Sequence, residues 1–415
     1  MITIKYKTDC CGCGACVQIC PKQCIDMQED EEGFYYPNIS LDVCINCGRC
    51  ERVCPVINQE KERKPFYVYA AKCEDEIRKN SSSGGVFPLL AKQIIDEGGI
   101  VFGARFDENW NVVHDYADSL EKIAAFGGSK YVQSQIGDSY QKVESFLRCG
   151  YKVLFSGTPC QVAGLKRYLQ KEYENLLTVD IICHGVPSPL VWKRYLEELL
   201  LQFNKAHPNI SETEGVTLQC IDNIEFRNKK NGWKKYCFVC DILCVDKTEK
   251  TKISYSIPFD KNVYMRRFLN DLYLRPSCYQ CPSKSLRSGS DITLGDYWGI
   301  HYLSPAFDDD LGVSCVLVNT KIGEKILENM NGKLDKFPSE YSMIVKYNPS
   351  VVISARKPIK RSKYFNDFSR KGMVKATTSF LRPTFGYILR RSGIWICDVC
   401  GIGNYLRLIK QNIIK

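Results

Sequence analysis

The sequence predicts a mixed α/β body preceded by a small, cysteine-dense domain, and three observations predict it. Ten of the 23 cysteines fall within residues 1–54. A charged stretch at residues 59–64 (QEKERK), followed by Pro65, then interrupts the chain. Beyond it, short apolar runs alternate with longer amphipathic ones, as strands and helices do in an α/β core. The chain has 415 residues, enough for about two to three domains. Its 44% hydrophobic and 25% charged residues exclude wholesale disorder and fibrous repeats.

Taken in order, residues 1–60 read as a compact cysteine unit with an internal repeat. Residues 66–71 (FYVYAA) read as a strand and 85–97 as a helix that tolerates Pro88 in its first turn. Residues 100–106 and 111–116 read as a strand pair, and 152–155 (KVLF) as a short apolar strand. A tight turn leads to a helix over 161–170, then a strand over 176–182 and a helix over 189–203. Period-two alternation over 215–256, with Asn231-Gly232, reads as an antiparallel hairpin insertion. A helix over 261–274 and strands at 291–294 and 313–318 follow. The expected organisation is 1–60, then a body in two parts, 65–150 and 151–350, then a tail over 356–415.

The net charge of +10 resides in that tail, where 14 Lys or Arg face 2 Asp or Glu. The rest of the chain is close to neutral, which excludes a nucleic-acid-binding body. The tail suits an acidic partner or the inner face of a membrane, or is a solvated basic face. No run reaches the roughly 18 apolar residues of a spanning helix; the nearest, residues 387–402, is broken by Arg390, Arg391 and Asp398. Residues 1–9 (MITIKYKTD) lack an apolar export core, so a reducing, cytoplasmic setting is expected.

Cys10, Cys13, Cys16 and Cys20 are spaced C-x2-C-x2-C-x3-C with Pro21 next, and Cys44, Cys47, Cys50 and Cys54 repeat the spacing with Pro55 next. This is the ligand run of a bacterial-type two-cluster 4Fe-4S ferredoxin domain, in which the fourth cysteine of each run ligates the other cluster. Cys10, Cys13, Cys16 and Cys54 are therefore expected to hold one cluster, and Cys44, Cys47, Cys50 and Cys20 the other. Structural zinc, the alternative, takes four ligands and has no use for the third cysteine and the Cys-Pro step. Cys11 and Cys24 lie outside the spacing and read as spare thiols. Two clusters conduct single electrons and do no bond chemistry alone, which implies a further redox centre in the body.

The body offers residues 80–85 (NSSSGG) before a helix, 127–134 (GGSKYVQS), 156–161 (SGTPCQ) at a strand-to-helix turn, and 182–187 (ICHGVP) after the next strand. Residues 275–282 (RPSCYQCP) and 291–299 (DITLGDYWG) follow. The first opens a helix with backbone and hydroxyl donors, an anion site or an ordinary N-cap. No GxGxxG or Walker A run is present.

Together these strings resemble the family of coenzyme F420 hydrogenase/dehydrogenase beta subunits, whose relatives include 7-hydroxymethyl chlorophyll reductase, over roughly residues 5–310. The resemblance implies an iron–sulfur flavoprotein with FAD in the body. It implies that Asn80, Ser81, Ser82, Ser83, Gly84 and Gly85, with Gly128, Ser129, Lys130, Tyr131 and Ser134, line the flavin and substrate pocket. It further implies that Cys160, Cys183, Cys278 and Cys281 surround a third 4Fe-4S cluster. Cys160 served by His184 as a nucleophile is the competing reading. Cys237 and Cys240 sit in a period-two stretch and are expected on opposite sides, and Cys397 and Cys400 form a lone tail pair.

The expected function is a ferredoxin-linked oxidoreductase. It would pass electrons between a ferredoxin or redox partner subunit and a small-molecule hydride acceptor, coenzyme F420 or another metabolite. Lys130 is the candidate for fixing an anionic group, and His184 for donating a proton. A non-catalytic electron-transfer subunit and a zinc-dependent binding module are the other classes considered.

Overall fold

A computed structural model describes residues 1–208, 216–246, 249–330, 332–373 and 376. Most of the basic tail, with Cys397, Cys400 and the 387–402 segment, lies outside the described residues.

The cysteine unit is built twice from one plan. Gly14 (φ 71°) and Gly48 (φ 71°) each stand in the left-handed conformation, where glycine alone carries no steric penalty, and start the short helices Ala15–Gln18 and Arg49–Arg52. A two-stranded antiparallel ribbon, β1 (Ile25–Glu29) and β2 (Tyr35–Ile39), connects the halves.

The body holds an eight-stranded mixed sheet. Its strands are β3 (Tyr67–Lys72), β4 (Ile100–Phe106), β5 (Val112–Ala117), β6 (Val153–Gly157) and β7 (Leu176–Ile181). A separate antiparallel sheet forms from β8 (Ile221–Asn228), β9 (Cys237–Asp246) and β10 (Glu249–Pro258), and the main sheet closes with β11 (Ile292–Asp296), β12 (Ser314–Val318) and β13 (Asp335–Pro338). The main order is β13-β3-β12-β11-β7-β6-β4-β5. The central β4, β6, β7 and β11 run parallel and the flanking pairs antiparallel. Parallel strands covered on both faces read as largely apolar runs: β6 opens with Val153, Leu154 and Phe155, and β7 is apolar except for the buried Thr178 and Asp180.

Alternate residues of the strands feed two cores. Val101, Leu154, Leu177 and Ile292 meet the Val86–Asp96 helix on one face. Ile100, Phe102, Val153 and Phe155 meet the helices Ser139–Arg148 and Pro159–Leu169 on the other. That second core also contains Cys11, Cys13, Ala15 and Val53, so the cysteine unit and the body share it. Polar ties reinforce the junction: Gln18 Oε1 accepts the Tyr140 N–H at 2.9 Å, and Arg361 pairs with Glu32 at 2.5 Å. Residues Met1–Arg361 form one compact unit and Ser362–Lys415 a second. Among the described residues no helix is long and apolar enough to cross a membrane.

Three elements depart from expectation. The helix expected over 261–274 is only Val263–Phe268: Asn262 caps its start, and Asp271, at φ 61°, turns the chain out of helical geometry. The insertion has three strands rather than a single hairpin, with Asn231-Gly232 in the turn between β8 and β9. Edge strand β13 has no counterpart in the sequence pattern, because its four residues, DKFP, are short and half polar.

Candidate functional site

Cys10, Cys13, Cys16 and Cys54 line one pocket of the N-terminal unit, and Cys20, Cys44, Cys47 and Cys50 line the other. The crossing arises because each glycine-started helix carries the third cysteine of its run and leaves through Cys-Pro toward the opposite pocket. The Ile2 N–H donates to Cys50 Sγ at 3.3 Å. Cys24, read from sequence as a spare thiol, lies 3.4 Å from the Cys20 sulfur. Among the described residues no group of three or more His, Cys, Asp or Glu side chains is placed to hold a single metal ion. Burial, then neighbouring Cys10, Cys54 and Cys50, pushes the Cys16 thiol up to about 12. A cationic iron–sulfur core is what would let four thiolates share that space.

In the body, β6 and β7 are parallel neighbours in register at Gly157 and Asp180. Cys160, in the first turn of the helix after β6, and Cys183, just after β7, therefore emerge together at the carboxyl ends of the strands, where α/β folds place their sites. Thr158 and Pro159 set that helix start, through a capping box and a fixed φ. A bridge between Pro187 and Leu274, with the Arg275 N–H donating to Val186 O at 2.9 Å, brings Cys278 and Cys281 to the same place. All four cysteines line one pocket, and so does Cys11. Nothing in the spacing marked Cys11 as a member of that pocket. The Val186 N–H donates to Cys278 Sγ at 3.4 Å, and Lys284 Nζ donates to Cys183 O at 2.7 Å. Cys160 is not set up as a nucleophile: the adjacent Cys11 thiol and burial push its thiol up, and His184 Nε2 lies 2.7 Å from Asp271 Oδ1 instead. Cys237 and Cys240 are both fully buried, away from all three pockets.

Beside this pocket opens a cleft of about 450 Å³, within the roughly 300–1,000 Å³ typical of organic ligands. Ser81, Ser82, Ser83, Gly85, Gly128, Ser129, Lys130, Tyr131 and Ser134 line it. Asn80 and Gly84 do not. Asn80 is exposed and its amide donates to Glu76 O, while the Gly84 N–H donates to Ser314 Oγ. The fan of donors expected from NSSSGG is largely engaged elsewhere: Ser81 donates to Ile77 O and Ser83 to Val313 O. Ser82 Oγ accepts from the Ser129 N–H at 2.7 Å, tying the two glycine-rich segments together. Lys130 Nζ donates to Gly127 O at 2.8 Å, and burial pushes its ammonium down to about 7.

Of the other walls, Asp296 and Trp298 fall in the 291–299 run, while His114, Arg227 and Tyr236 fall in none of the runs singled out from the sequence. Arg227 pairs with Asp296 at 2.5 Å and lies over the Tyr236 ring, and Trp298 stacks on Trp233. His114 places Nε2 3.0 Å from Ser156 O, and burial pushes the imidazole down to about 4. A neutral imidazole facing a carbonyl carries its proton on Nε2, which leaves buried, unpartnered Nδ1 as an acceptor at the cleft wall. The volume, this orphaned acceptor and the Lys130 head fit a large polar cofactor such as FAD. Residues 181–186 border both the cleft and the body's thiol pocket.

Cysteine pockets of this crossing pattern, joined to an α/β body with a cofactor-sized cleft, define an iron–sulfur oxidoreductase. Residues 9–58 match the 4Fe-4S dicluster domain, which carries two 4Fe-4S clusters. Residues 67–139 match the N-terminal and residues 150–337 the C-terminal domain of the coenzyme F420 hydrogenase/dehydrogenase beta subunit. The chain belongs to the family of those beta subunits and is an oxidoreductase of it. It is 27% identical over 246 residues to the coenzyme F420-dependent sulfite reductase of Methanocaldococcus jannaschii, covering 54% of this chain and 37% of that protein. It is 25% identical over 191 residues to one of the subunits of the F(420)H(2) dehydrogenase of Methanosarcina mazei, covering 42% of this chain and 53% of that protein. The match thus spans about half or less of either relative. A chain of the xenon-derivatised F420-reducing NiFe hydrogenase complex from Methanosarcina barkeri aligns over 70% of this chain and 90% of its own, at 19% identity and a TM-score of 0.44.

Proposed function

We propose that the chain is an iron–sulfur flavoprotein that passes electrons between a ferredoxin or redox partner subunit and an organic hydride acceptor, with FAD in the cleft. A third 4Fe-4S cluster is assigned to Cys160, Cys183, Cys278 and Cys281. One observation carries the reading: the first N-terminal pocket, the body's cysteine pocket and the cleft are linked by shared walls. Cys11 lines both the first N-terminal pocket and the body pocket, and residues 181–186 border both the body pocket and the cleft. FAD, when bound, supplies the conversion between single electrons and hydride.

The chain's own groups supply placement. Ser82 and Ser129 hold the two glycine-rich segments against each other at the cleft. Lys130 has no carboxylate partner among the described residues and is proposed to meet an anionic group of cofactor or substrate through Nζ. His184, beside Asp271, is proposed to hold the proton destined for the product. The names of both relatives make coenzyme F420 the leading hydride-exchanging substrate, as donor or as acceptor. Cysteine runs with cluster-ligand spacing suit a reducing cytoplasm.

Anaerobic quantification of iron, acid-labile sulfide and flavin tests the reading. Three cubanes give about twelve irons per chain and two give about eight, with FAD near one. Cys160→Ser is expected to remove about one cluster's iron, and unchanged iron defeats that assignment. Turnover by the isolated, reconstituted chain separates an enzyme from an electron-transfer subunit.

A further inference from the structure

Four arginines are buried among the described residues: Arg78, Arg227, Arg275 and Arg361. Three meet a carboxylate, in the pairs Arg78–Asp309, Arg227–Asp296 and Arg361–Glu32. Arg275, at 0% exposure the most enclosed, meets none. Its Nε donates to Cys10 O at 2.8 Å, Nη1 to Gln133 Oε1 at 3.0 Å, and Nη2 to Tyr35 O at 2.9 Å. Nη2 also lies 3.5 Å from Cys10 Sγ, and the guanidinium stacks 4.3 Å over Tyr36. Carbonyls, an amide and a ring satisfy its geometry and leave its charge unbalanced, which a buried cation cannot afford without a counter-charge. The groups beside it that can carry negative charge are the thiols Cys10, Cys11 and Cys278 and the Tyr36 phenol, which burial holds in its neutral form. The fold makes room for it deliberately. A Cβ on Gly12 would stand 2.8 Å from Nη1.

We propose that Arg275 is the built-in counter-cation of the cluster held by Cys10, Cys13, Cys16 and Cys54, and that it raises the reduction potential of that cluster. The inference rests on the ligand assignment above and goes beyond it. Reduction adds one electron from the ferredoxin-type donor and makes the cluster one unit more negative, with no bond formed or broken and no proton moved. Burial alone opposes that added charge and lowers the potential, while a guanidinium against a ligand sulfur favours it. The second N-terminal pocket has no such cation inside it. Cys47 there is exposed, and the cations lining it, the Met1 ammonium, Lys22 and Arg49, face solvent that screens them, the ammonium being already paired with Glu51 at 3.2 Å. Arg275 thus separates the two N-terminal clusters energetically and favours electron residence on the one that adjoins the body. It is a positioning residue in the electrostatic sense, since it acts through Cys10 and touches no substrate.

The test uses the full chain, loaded anaerobically and titrated potentiometrically with electron paramagnetic resonance detection. The relevant signal is the one lost in C16S. In R275Q its reduced-to-oxidised ratio at fixed poise falls at least tenfold, a negative shift of about 59 mV for a one-electron couple. R275K falls between R275Q and the parent, and the signal lost in C47S, from the pocket that Arg275 does not adjoin, stays in place. An unmoved midpoint overturns the proposal. So does a positive shift, which is what water entering a loosened junction would produce. Wild-type protein labelled with 15N only at arginine requires no variant: electron–nuclear double resonance on the reduced cluster shows guanidinium coupling, and its absence overturns the proposal. Iron analysis reads the underlying assignment separately. Wild-type chain lacking this cluster's iron defeats the ligand assignment and the inference together, whereas full iron with an unmoved midpoint defeats the inference alone.

Discussion

The N-terminal pockets and the cleft are both enclosed by side chains, yet they are made in opposite ways. Each N-terminal pocket draws on runs in which glycine at φ 71° and a Cys-Pro exit recur. The cleft takes its walls from His114 on β5, Lys130 in a loop, Arg227 on β8 and Asp296 on β11. A site that must present fixed ligand geometry is encoded by local spacing. A site that must surround an organic molecule is assembled by topology, and each contribution looks ordinary in its own segment.

The largest expected effect breaks the local side of this contrast. Cys16→Ala should remove about four irons per chain, measured by iron and sulfide analysis. It should also loosen the second core of the body, seen as faster hydrogen exchange in the Ser139–Arg148 helix, because Cys13, Ala15 and Val53 sit in that core. Iron loss without a change in exchange would show that the two regions are mechanically independent.

Next in size is a substitution that separates scaffold from lining within NSSSGG. Gly84→Ala would bring a methyl to 2.3 Å from Ala71 O, and is expected to lower stability by about 1–3 kcal/mol in denaturant melts. Asn80→Ala, at an exposed position, should change stability by less than about 0.5 kcal/mol and leave flavin content intact.

His114→Phe removes the unpartnered Nδ1 while keeping a ring against Phe155. Flavin affinity is expected to fall about tenfold, or ~1.4 kcal/mol, in a fluorescence titration. Equal affinity would make His114 a wall and nothing more.

The smallest effect is a pH dependence. Burial pushes Lys130 down to about 7, so its Nζ is cationic below that pH and neutral above it. Anion affinity at the cleft should therefore decline as pH rises through about 7, and Lys130→Met should flatten the profile. The sign for stability is opposite. A folded-state value below the unfolded 10.5 means the unfolded chain binds more protons between the two, so this group favours folding increasingly as pH rises from about 7 toward 10.5.

Much of the scaffold was legible because burial writes itself into sequence. The apolar runs at β6 and β7 located two strands of the body though not their place in the sheet, and the turn after β6 led to a helix that starts at Pro159, two residues earlier than read. The two cysteine runs indicated which thiols would share a pocket. What stayed hidden depended on contacts between distant segments. The Ser139–Arg148 helix buries Ser139, Tyr140, Val143 and Leu147 on one side of a polar run, an apolar stripe of three residues too thin to stand out. Cys11 joins the body's pocket because β6 and β7 end beside it. His114 alternates into the cleft from a strand otherwise unremarkable in composition.

The core shared by the cysteine unit and the body also bears on protein engineering. Cutting the chain at the charged stretch before Pro65 would strip partners from Cys11, Cys13, Ala15 and Val53 on one fragment and from Tyr140, Val162 and Leu165 on the other. Each piece would then display a greasy scar. The N-terminal unit cannot be swapped like a cartridge for another of the same motif unless the recipient surface is redesigned to receive it.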